Sequence, residues 1–447
     1  IIKLFYALNI FIPHWPLRNM ASPSGYHGFV QLNYLPKKTD LICEFKIEPA
    51  SGLSIRDCAE RIAGESSVGT WTEVSTTNAR IKAMGARVFE IKGNCIRVAY
   101  PFELFERGNM PQIFSSIAGN IFNMKDVKNL RLESIRWPKE MIDSFHGPQF
   151  GIAGIRKLMN VHTRPFCGTI VKPKLGLDWK EHAKVAYDAW VGGLDFVKDD
   201  ENLTSQPFNN FYERIEYTLK MRDKAEIETG EKKMYFANVT AEANEMVKRA
   251  RFVKECGGEY VMVDVLTAGF SGLQTLRNET EDLKLAIHAH RAMHGAITRN
   301  PKHGIAMLAL AETMRMIGVD QLHIGTAVGK MLERKPEVME IREEIENSLI
   351  KNKKHVLAQD WNGVKPILAV CSGGLHAGMV QKLASFMGKD IVVQAGGGVH
   401  GLAGGTRAGA RALRDAVEAV GKNIPMQTYA KTHKELDLAL KTWGLLR

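Results

Sequence analysis

From residue 167 onward the sequence keeps a rhythm that few folds accept: eight short runs rich in β-branched and aromatic residues, separated by longer amphipathic stretches. The runs are CGTIVKP (167–173), LDFVKDDE (194–201), MYFANVT (234–240), YVMVDV (260–265), KLAIHAH (284–290), QLHIGT (321–326), ILAVCSGG (367–374) and IVVQAGGG (391–398). Between them lie segments of helical period such as WKEHAKVAYDAWVGG and AEANEMVKRARFVKECGG. Eight such units over about 280 residues have the length and count of a (β/α)8 TIM barrel. An open doubly wound sheet is the alternative, but it gives no reason for polar residues at the end of nearly every strand. Here the runs close in KP, KDDE, NVT, HAHR, HIGT, SGG and GGG. Parallel strands are apolar in their interiors, and barrel enzymes keep their chemistry at the C-terminal tips.

Residues 26–143 read differently, as a smaller α+β (ferredoxin-like) domain ahead of a barrel domain spanning 144–447. QLNYL (31–35) and LICEFKI (41–47) have strand character, and RVFEIKGNCIRVAYP (87–101) reads as a hairpin turning at Gly93-Asn94. IRDCAERIAGES (55–66) and MPQIFSSIAGNIF (110–122) read as helices. Residues 1–25 read as an N-terminal extension outside the fold, with Met20 a plausible start and a weak membrane anchor the lesser reading. Their apolar stretch is too short and interrupted to span a bilayer. A net charge of +11 suits anionic ligands. The absence of a long Lys/Arg block or an RNA-binding aromatic signature argues against nucleic acid. None of the six cysteines forms a C-x-x-C pair, so neither a disulfide framework nor a structural zinc site is expected, and a cytoplasmic setting fits.

In LDFVKDDEN, strand alternation points Lys198 and Asp200 to one side, and Glu201 sits where the strand turns into loop and can swing inward. Adjacent carboxylates at a barrel mouth suit a hard, oxygen-loving ion such as Mg2+. An ammonium beside them would repel the ion, whereas a lysine amine that had captured carbon dioxide would offer a third anionic oxygen. The plainer reading is a solvated charge cluster, favoured if this run stood alone. Lys172 and Lys174 share parity around Pro173, and two like charges held close lower each other's proton affinity. A lysine so tuned exchanges protons near neutrality, although surface lysines after a strand are common. IHAHRAMH offers His288, His290, Arg291 and His294, which suit acid–base chemistry and anion binding better than a transition metal. His323 and Lys330 follow in QLHIGTAVGK. The Gly-rich turns at Ser372-Gly373-Gly374 and Gly396-Gly397 follow the last two strands, where barrels often bind phosphate through backbone N–H groups. A second anion site at Arg291 and His323 suggests a substrate phosphorylated at both ends.

The runs GGLDFVKDDENLTSQPF, GTIVKPKLGL, HAHRAMH, HIGTAVGK and SGGLH together closely resemble the large subunit of ribulose-1,5-bisphosphate carboxylase/oxygenase (RuBisCO). The resemblance extends from about Tyr26 onward and includes AGESSVGTWTEV and IAGNIF in the first domain. RDKAEIETGEKKMYFANVTA and IVVQAGGGVHG look most like the archaeal-type form III enzymes, which work in nucleotide-ribose (AMP) salvage without a small subunit. The resemblance implies a carboxylase that adds carbon dioxide and water to ribulose 1,5-bisphosphate, giving two 3-phosphoglycerate, with O2 as a competing gas. It implies that Lys198 is carbamylated by an activating CO2 and holds one Mg2+ with Asp200 and Glu201. The carbamate takes a proton from carbon 3. Lys172 resembles the lysine that protonates the final carbanion, with Lys174 orienting it. His290 resembles the histidine that handles protons during carboxylation and hydration, and Lys330 the lysine that stabilises the new carboxylate. One phosphate would meet Thr70, Trp71 and the backbone of Gly396 and Gly397, near Gly373 and Gly374; the other would meet Arg291 and His323. Ser372 would bond a substrate hydroxyl.

Glu65, Thr70, Trp71 and Asn120 would come from the partner of a homodimer, with rings of dimers left open. No membrane association is implied. The lysine loop, GKMLERK (329–335), departs from the family's GK-x-E-G by displacing Glu333 one place and omitting the glycine, and Gly401-Leu402-Ala403 stands where Gly-His-Pro is frequent. A RuBisCO-like enolase or isomerase of sulfur salvage is the nearest rival, but such relatives replace several carboxylation residues that are all present here. A non-catalytic phosphate-binding protein gives no reason for the Lys172/Lys198 pair.

Overall fold

The computed structural model describes residues 25–330 and 333–446; the extension expected at residues 1–25 lies outside them except for Gly25. The first domain is built on β1 (Leu41–Pro49), β2 (Arg87–Lys92), β3 (Cys95–Tyr100) and β4 (Val127–Arg136). The expected hairpin is β2–β3, turning where Gly93 holds a φ of 61°. On β1, Leu41, Cys43, Phe45 and Ile47 are buried on one face, under helix Ile55–Glu65, which presents Cys58, Ala59, Ile62 and Ala63 at helical spacing. Ser54 starts that helix with a capping box to Asp57.

Two local expectations fail. Residues 31–35 form no strand: the Tyr34 N–H bonds back to the Gln31 carbonyl in a turn, Leu32 and Leu35 are exposed, and Val30 alone bridges to Val88. The helix expected over 110–122 ends at Ile117, and a 3-10 turn covers Asn120–Asn123. At Gly119 a Cβ would lie 2.1 Å from the Ser115 carbonyl oxygen, so the chain folds tightly back there.

The barrel strands are β5 (Phe166–Ile170), β6 (Phe196–Lys198), β7 (Met234–Asn238), β8 (Tyr260–Asp264) and β9 (Ala286–His290). After β10 (Gly304–Ile305) come β11 (Gln321–His323), the small antiparallel pair β12 (Leu349–Ile350) and β13 (Gln359–Asp360), then β14 (Leu368–Ser372) and β15 (Ile391–Gln394). The barrel closes in the order β11-β14-β15-β5-β6-β7-β8-β9, all parallel. All eight expected runs supply a strand. β10 leaves the barrel and pairs in parallel with β4, completing a five-stranded sheet in the first domain. Glu312 adds a second tie: its carboxylate accepts from Ser134 Oγ and from the Ile135 N–H, each at 2.8 Å.

Strand parity then positions the site. Phe166, Phe196, Met234, Phe236, Tyr260, Met262, Ala286, Leu368, Val370 and Val392 form one buried cluster with Ile155 and Met159 of helix Gly151–Met159, filling the barrel. Continuing each strand at the same parity gives Lys198, Asn238, Asp264, His290, His323, Ser372 and Gln394. Apart from His288 and Gln321, which bond each other, the inward row is apolar in the body of the barrel and polar at the C-terminal mouth.

Below that mouth, the Asp195 carboxylate takes two hydrogen bonds from Arg164, at 2.7 and 2.8 Å, and a third from the Cys167 N–H. Burial would raise the Asp195 pKa, but Arg164 overrides it and holds it at about 2. Asp195→Ala removes the two-point partner of a buried guanidinium and leaves it only Glu418, 3.0 Å from its Nε, and is expected to cost about 3 kcal/mol in urea unfolding. Because the folded pKa is depressed, Asp195's own contribution is full above about pH 4 and is lost as pH falls towards 2.

Candidate active site

The barrel mouth opens into a cavity of about 690 Å3 lined by Lys172, Lys198, Glu201, His290, Arg291, His323 and Lys330, by Ser372-Gly373-Gly374, and by Gln394, Gly396 and Gly397. Asp200 is buried beside it and accepts from Lys172 Nζ at 2.6 Å. The two lysines expected to act on each other are separately engaged: Lys172 pairs with Asp200, and Lys174 reaches the Asn202 side chain at 3.3 Å.

Lys198 is buried at the tip of β6, its Nζ 2.8 Å from the Asp199 carbonyl oxygen, 3.4 Å from Glu201 Oε2 and 3.5 Å from Met262 Sδ. Burial would raise the Glu201 pKa, but Lys198 and His290 together hold it down at about 2. The neighbouring Asp199 turns away, into a buried network with His182, Arg214 and Tyr235. Lys198 and Glu201 both line the cavity, Glu201 swinging in from the turn after β6, while Asp200 is buried beside it against Lys172. Asp200 and Glu201 offer hard carboxylate oxygens of the kind that suit Mg2+; a charged Lys198 ammonium does not fit beside such an ion, whereas an amine carrying carbon dioxide does.

His290 Nδ1 lies 2.8 Å from Asp264 Oδ1, and its Nε2 lies 3.6 Å from Glu201 Oε2. An ionised carboxylate only accepts, so Nδ1 carries the hydrogen and Nε2 is left to exchange protons. Asp264 was missed in the sequence, although it is the one charged residue of the run YVMVDV.

His323 sits in a directed chain. The Gln321 Oε1 acceptor at 2.8 Å makes His288 Nδ1 the donor, so His288 Nε2 accepts from His323 Nε2 at 2.9 Å. His323 Nδ1 then accepts from Ser372 Oγ at 2.8 Å, which leaves the Ser372 lone pairs for another donor. Burial pushes both imidazoles far below the usual range, so both are neutral. Arg291 is buried and its Nη2 binds Glu333 Oε1 of the lysine loop, a pairing not foreseen. Met331 and Leu332 of that loop lie outside the described residues.

The glycine turns are required by close approach. A Cβ at Gly398 would lie 2.2 Å from the Leu375 carbonyl oxygen, and one at Gly329 would lie 2.0 Å from the Gly373 oxygen. The Lys330 N–H bonds that same Gly373 oxygen at 3.0 Å, which seats the loop over the turn. The short helix Gly397–His400 begins at the cavity edge, an N-terminus suited to an anion. Gln394 lies at the mouth with both side-chain amide atoms buried and unpartnered, a residue that sequence reasoning passed over within the QAGGG run.

Six expected residues do not line this chain's cavity: Lys174 and Asp200, which lie beside it, and Glu65, Thr70, Trp71 and Asn120. Glu65 accepts from Tyr26 at 2.5 Å and from Asn120 at 3.3 Å on the first domain, Thr70 lies in the following loop, and Trp71 is 67% exposed.

A closed eight-stranded parallel barrel with acids, lysines and histidines at its mouth defines an enzyme of the TIM-barrel class. The sequence matches the family described as ribulose bisphosphate carboxylase large chain, catalytic domain, over residues 151–443, and the corresponding N-terminal domain over 28–141. The chain belongs to the RuBisCO large-chain family, whose curated relatives are carboxy-lyases. It is 52% identical over 421 residues to the ribulose bisphosphate carboxylase of Methanosarcina mazei, covering 93% of this chain and 98% of the relative. It is 49% identical to that of Pyrococcus abyssi, covering 94% and 97%. Among solved structures, the dimeric archaeal Rubisco from Hyperthermus butylicus matches with a TM-score of 0.90 at 44% identity, covering 95% of this chain and all of that one. The octameric Rubisco from Pyrococcus horikoshii, in complex with sulfate ion, matches with a TM-score of 0.87 at 48% identity, covering 94% and 97%. Among the described residues no helix is long and apolar enough to cross a membrane, and all six cysteines are free.

Proposed function

We propose that this protein carboxylates ribulose 1,5-bisphosphate to two 3-phosphoglycerate, with oxygenation as a side reaction, and that it serves nucleotide-ribose (AMP) salvage. The observation that carries the reading is the convergence of Lys172, Lys198, Glu201, His290 and Lys330 on one cavity, with Asp200 joined to it through Lys172. Lys198, modified by CO2, would hold one Mg2+ with Asp200 and Glu201, and the ion would supply Lewis-acid stabilisation of negative charge on the substrate's ketone and hydroxyl oxygens.

The other steps belong to side chains. Once it carries CO2, Lys198 would supply the oxygen base for the carbon-3 proton. His290 moves protons at Nε2 during carboxylation and hydration, oriented by Asp264 through Nδ1. Lys330 stabilises the added carboxylate. Ser372 accepts from a substrate hydroxyl, since its own hydrogen is given to His323. Lys172 protonates the last carbanion, with Lys174 orienting it.

Gly373, Gly374, Gly396 and Gly397 receive one phosphate and the Arg291–His323 side the other. Glu333 occupies the Arg291 guanidinium in this conformation, so substrate phosphate must replace a carboxylate there. The placement of Glu65, Thr70, Trp71 and Asn120 away from the chain's own cavity supports a homodimer in which each first domain completes the partner's site. Purified protein given CO2, Mg2+ and ribulose bisphosphate is expected to yield two phosphoglycerates per turnover. An untouched bisphosphate together with enolisation of a diketo phosphate would favour the sulfur-salvage reading and defeat this one.

A further inference from the structure

On the opposite face of the first domain's sheet from its core, a thiol, an imidazole and a carboxylate converge without a role in the reaction. Alternation on β1 sends Glu44 and Lys46 to that face while Cys43, Phe45 and Ile47 go to the core. On β3, Cys95 and Arg97 share it, with Arg97 in register opposite Glu44. The segment between β12 and β13 crosses over from the barrel domain and brings His355. Leu357 fastens that crossing by packing with Ile42 and Ala99. One ligand atom from each of Glu44, Cys95 and His355 lies within 4.8 Å of the others, beside a cavity of about 770 Å3.

We propose that Glu44, Cys95 and His355 form a binding site for a single borderline-soft divalent cation, Zn2+ by its ligand chemistry, which pins the barrel-side segment to the first domain's sheet. A sulfur, a nitrogen and one oxygen are the donors that such an ion takes in tetrahedral sites, with water in the fourth place. The donors are arranged for it. Arg97 Nε holds Glu44 Oε2 at 2.9 Å, which orients the carboxylate and leaves Oε1 directed at His355 Nδ1, also at 2.9 Å. Cys95 Sγ lies 3.9 Å from the same Nδ1. Binding releases the thiol proton to solvent and moves the imidazole hydrogen to Nε2, so sulfur and Nδ1 both present lone pairs. Two of the nearby lysines are engaged elsewhere: Lys46 Nζ reaches the Pro301 carbonyl at 3.3 Å, and Lys353 pairs with Glu343. Lys92 and Lys354 are exposed. The site escapes sequence-spacing rules because His355 is 260 residues from Cys95 and 311 from Glu44.

Cobalt titration of the full-length protein tests this, because a thiolate–cobalt charge-transfer band reports sulfur ligation, which the carboxylate site at the barrel mouth does not provide. The wild type is expected to take up one Co2+ with that band, displaced by Zn2+, with a rise in melting temperature. Cys95→Ser is expected to lose the band while keeping magnesium-dependent carboxylation. His355→Ala is expected to weaken cobalt binding on the order of a hundredfold, at the upper end for losing even a group that only orients a ligand. A wild type without the band at saturating cobalt, or a band unchanged in Cys95→Ser, would overturn the proposal.

Discussion

Lys198→Ala is expected to lower the turnover number for carboxylation by at least about a thousandfold, since two contributions vanish together. One is the charge stabilisation supplied by a bound ion, worth several kcal/mol. The other is the base that takes the carbon-3 proton, worth about a hundredfold to ten-thousandfold. Lys198 is 1% exposed and flanked by Asp199, Glu201 and Met262. A methyl group in its place offers neither amine nor oxygen, and Glu201 loses the cation that chiefly holds its pKa down. Magnesium affinity should fall with turnover, which isothermal titration can follow separately from kinetics. A variant that kept wild-type turnover would remove Lys198 from the mechanism.

Lys172→Met has the second largest expected effect, a fall in kcat of about a hundredfold to ten-thousandfold with a smaller change in KM, because proton delivery acts only in the transition state. Its ion pair with Asp200 makes a second readout available. The ammonium competes with a divalent ion for that carboxylate, so Mg2+ binding by the variant should be retained or tightened. Steady-state kinetics at saturating Mg2+, paired with magnesium titration, separates proton transfer from metal assembly. Loss of Mg2+ binding together with activity would instead make Lys172 a structural support of the acidic pair.

Much of this arrangement was legible in the sequence because period-2 strands force a simple rule. Inward residues that are apolar along the body of a barrel strand and polar at its tip give away both the fold and the mouth. Lys198 and Ser372 announced themselves that way, whereas His290 and His323 end strands whose inward rows already carry His288 and Gln321. Asp264 obeyed the same rule but followed four apolar-looking residues and went unremarked. Residues 31–35 misled for the opposite reason: their composition suits a strand, yet Leu32 and Leu35 find no core, and the segment turns. Partnerships between distant segments were not legible at all. The grip of Glu333 on Arg291, the strand β10 lent to the first domain, and the gathering of Glu44, Cys95 and His355 depend on how loops cross after folding, and no local spacing encodes them.

A crystal structure of the protein grown with bicarbonate and Mg2+ bears most directly on the proposed chemistry. The expected result is a carboxyl group on Lys198 Nζ, with one of its oxygens, Asp200 and Glu201 around a single ion. An unmodified Lys198 still lying against Asp199 and Glu201, with the magnesium bound away from those carboxylates, would contradict it.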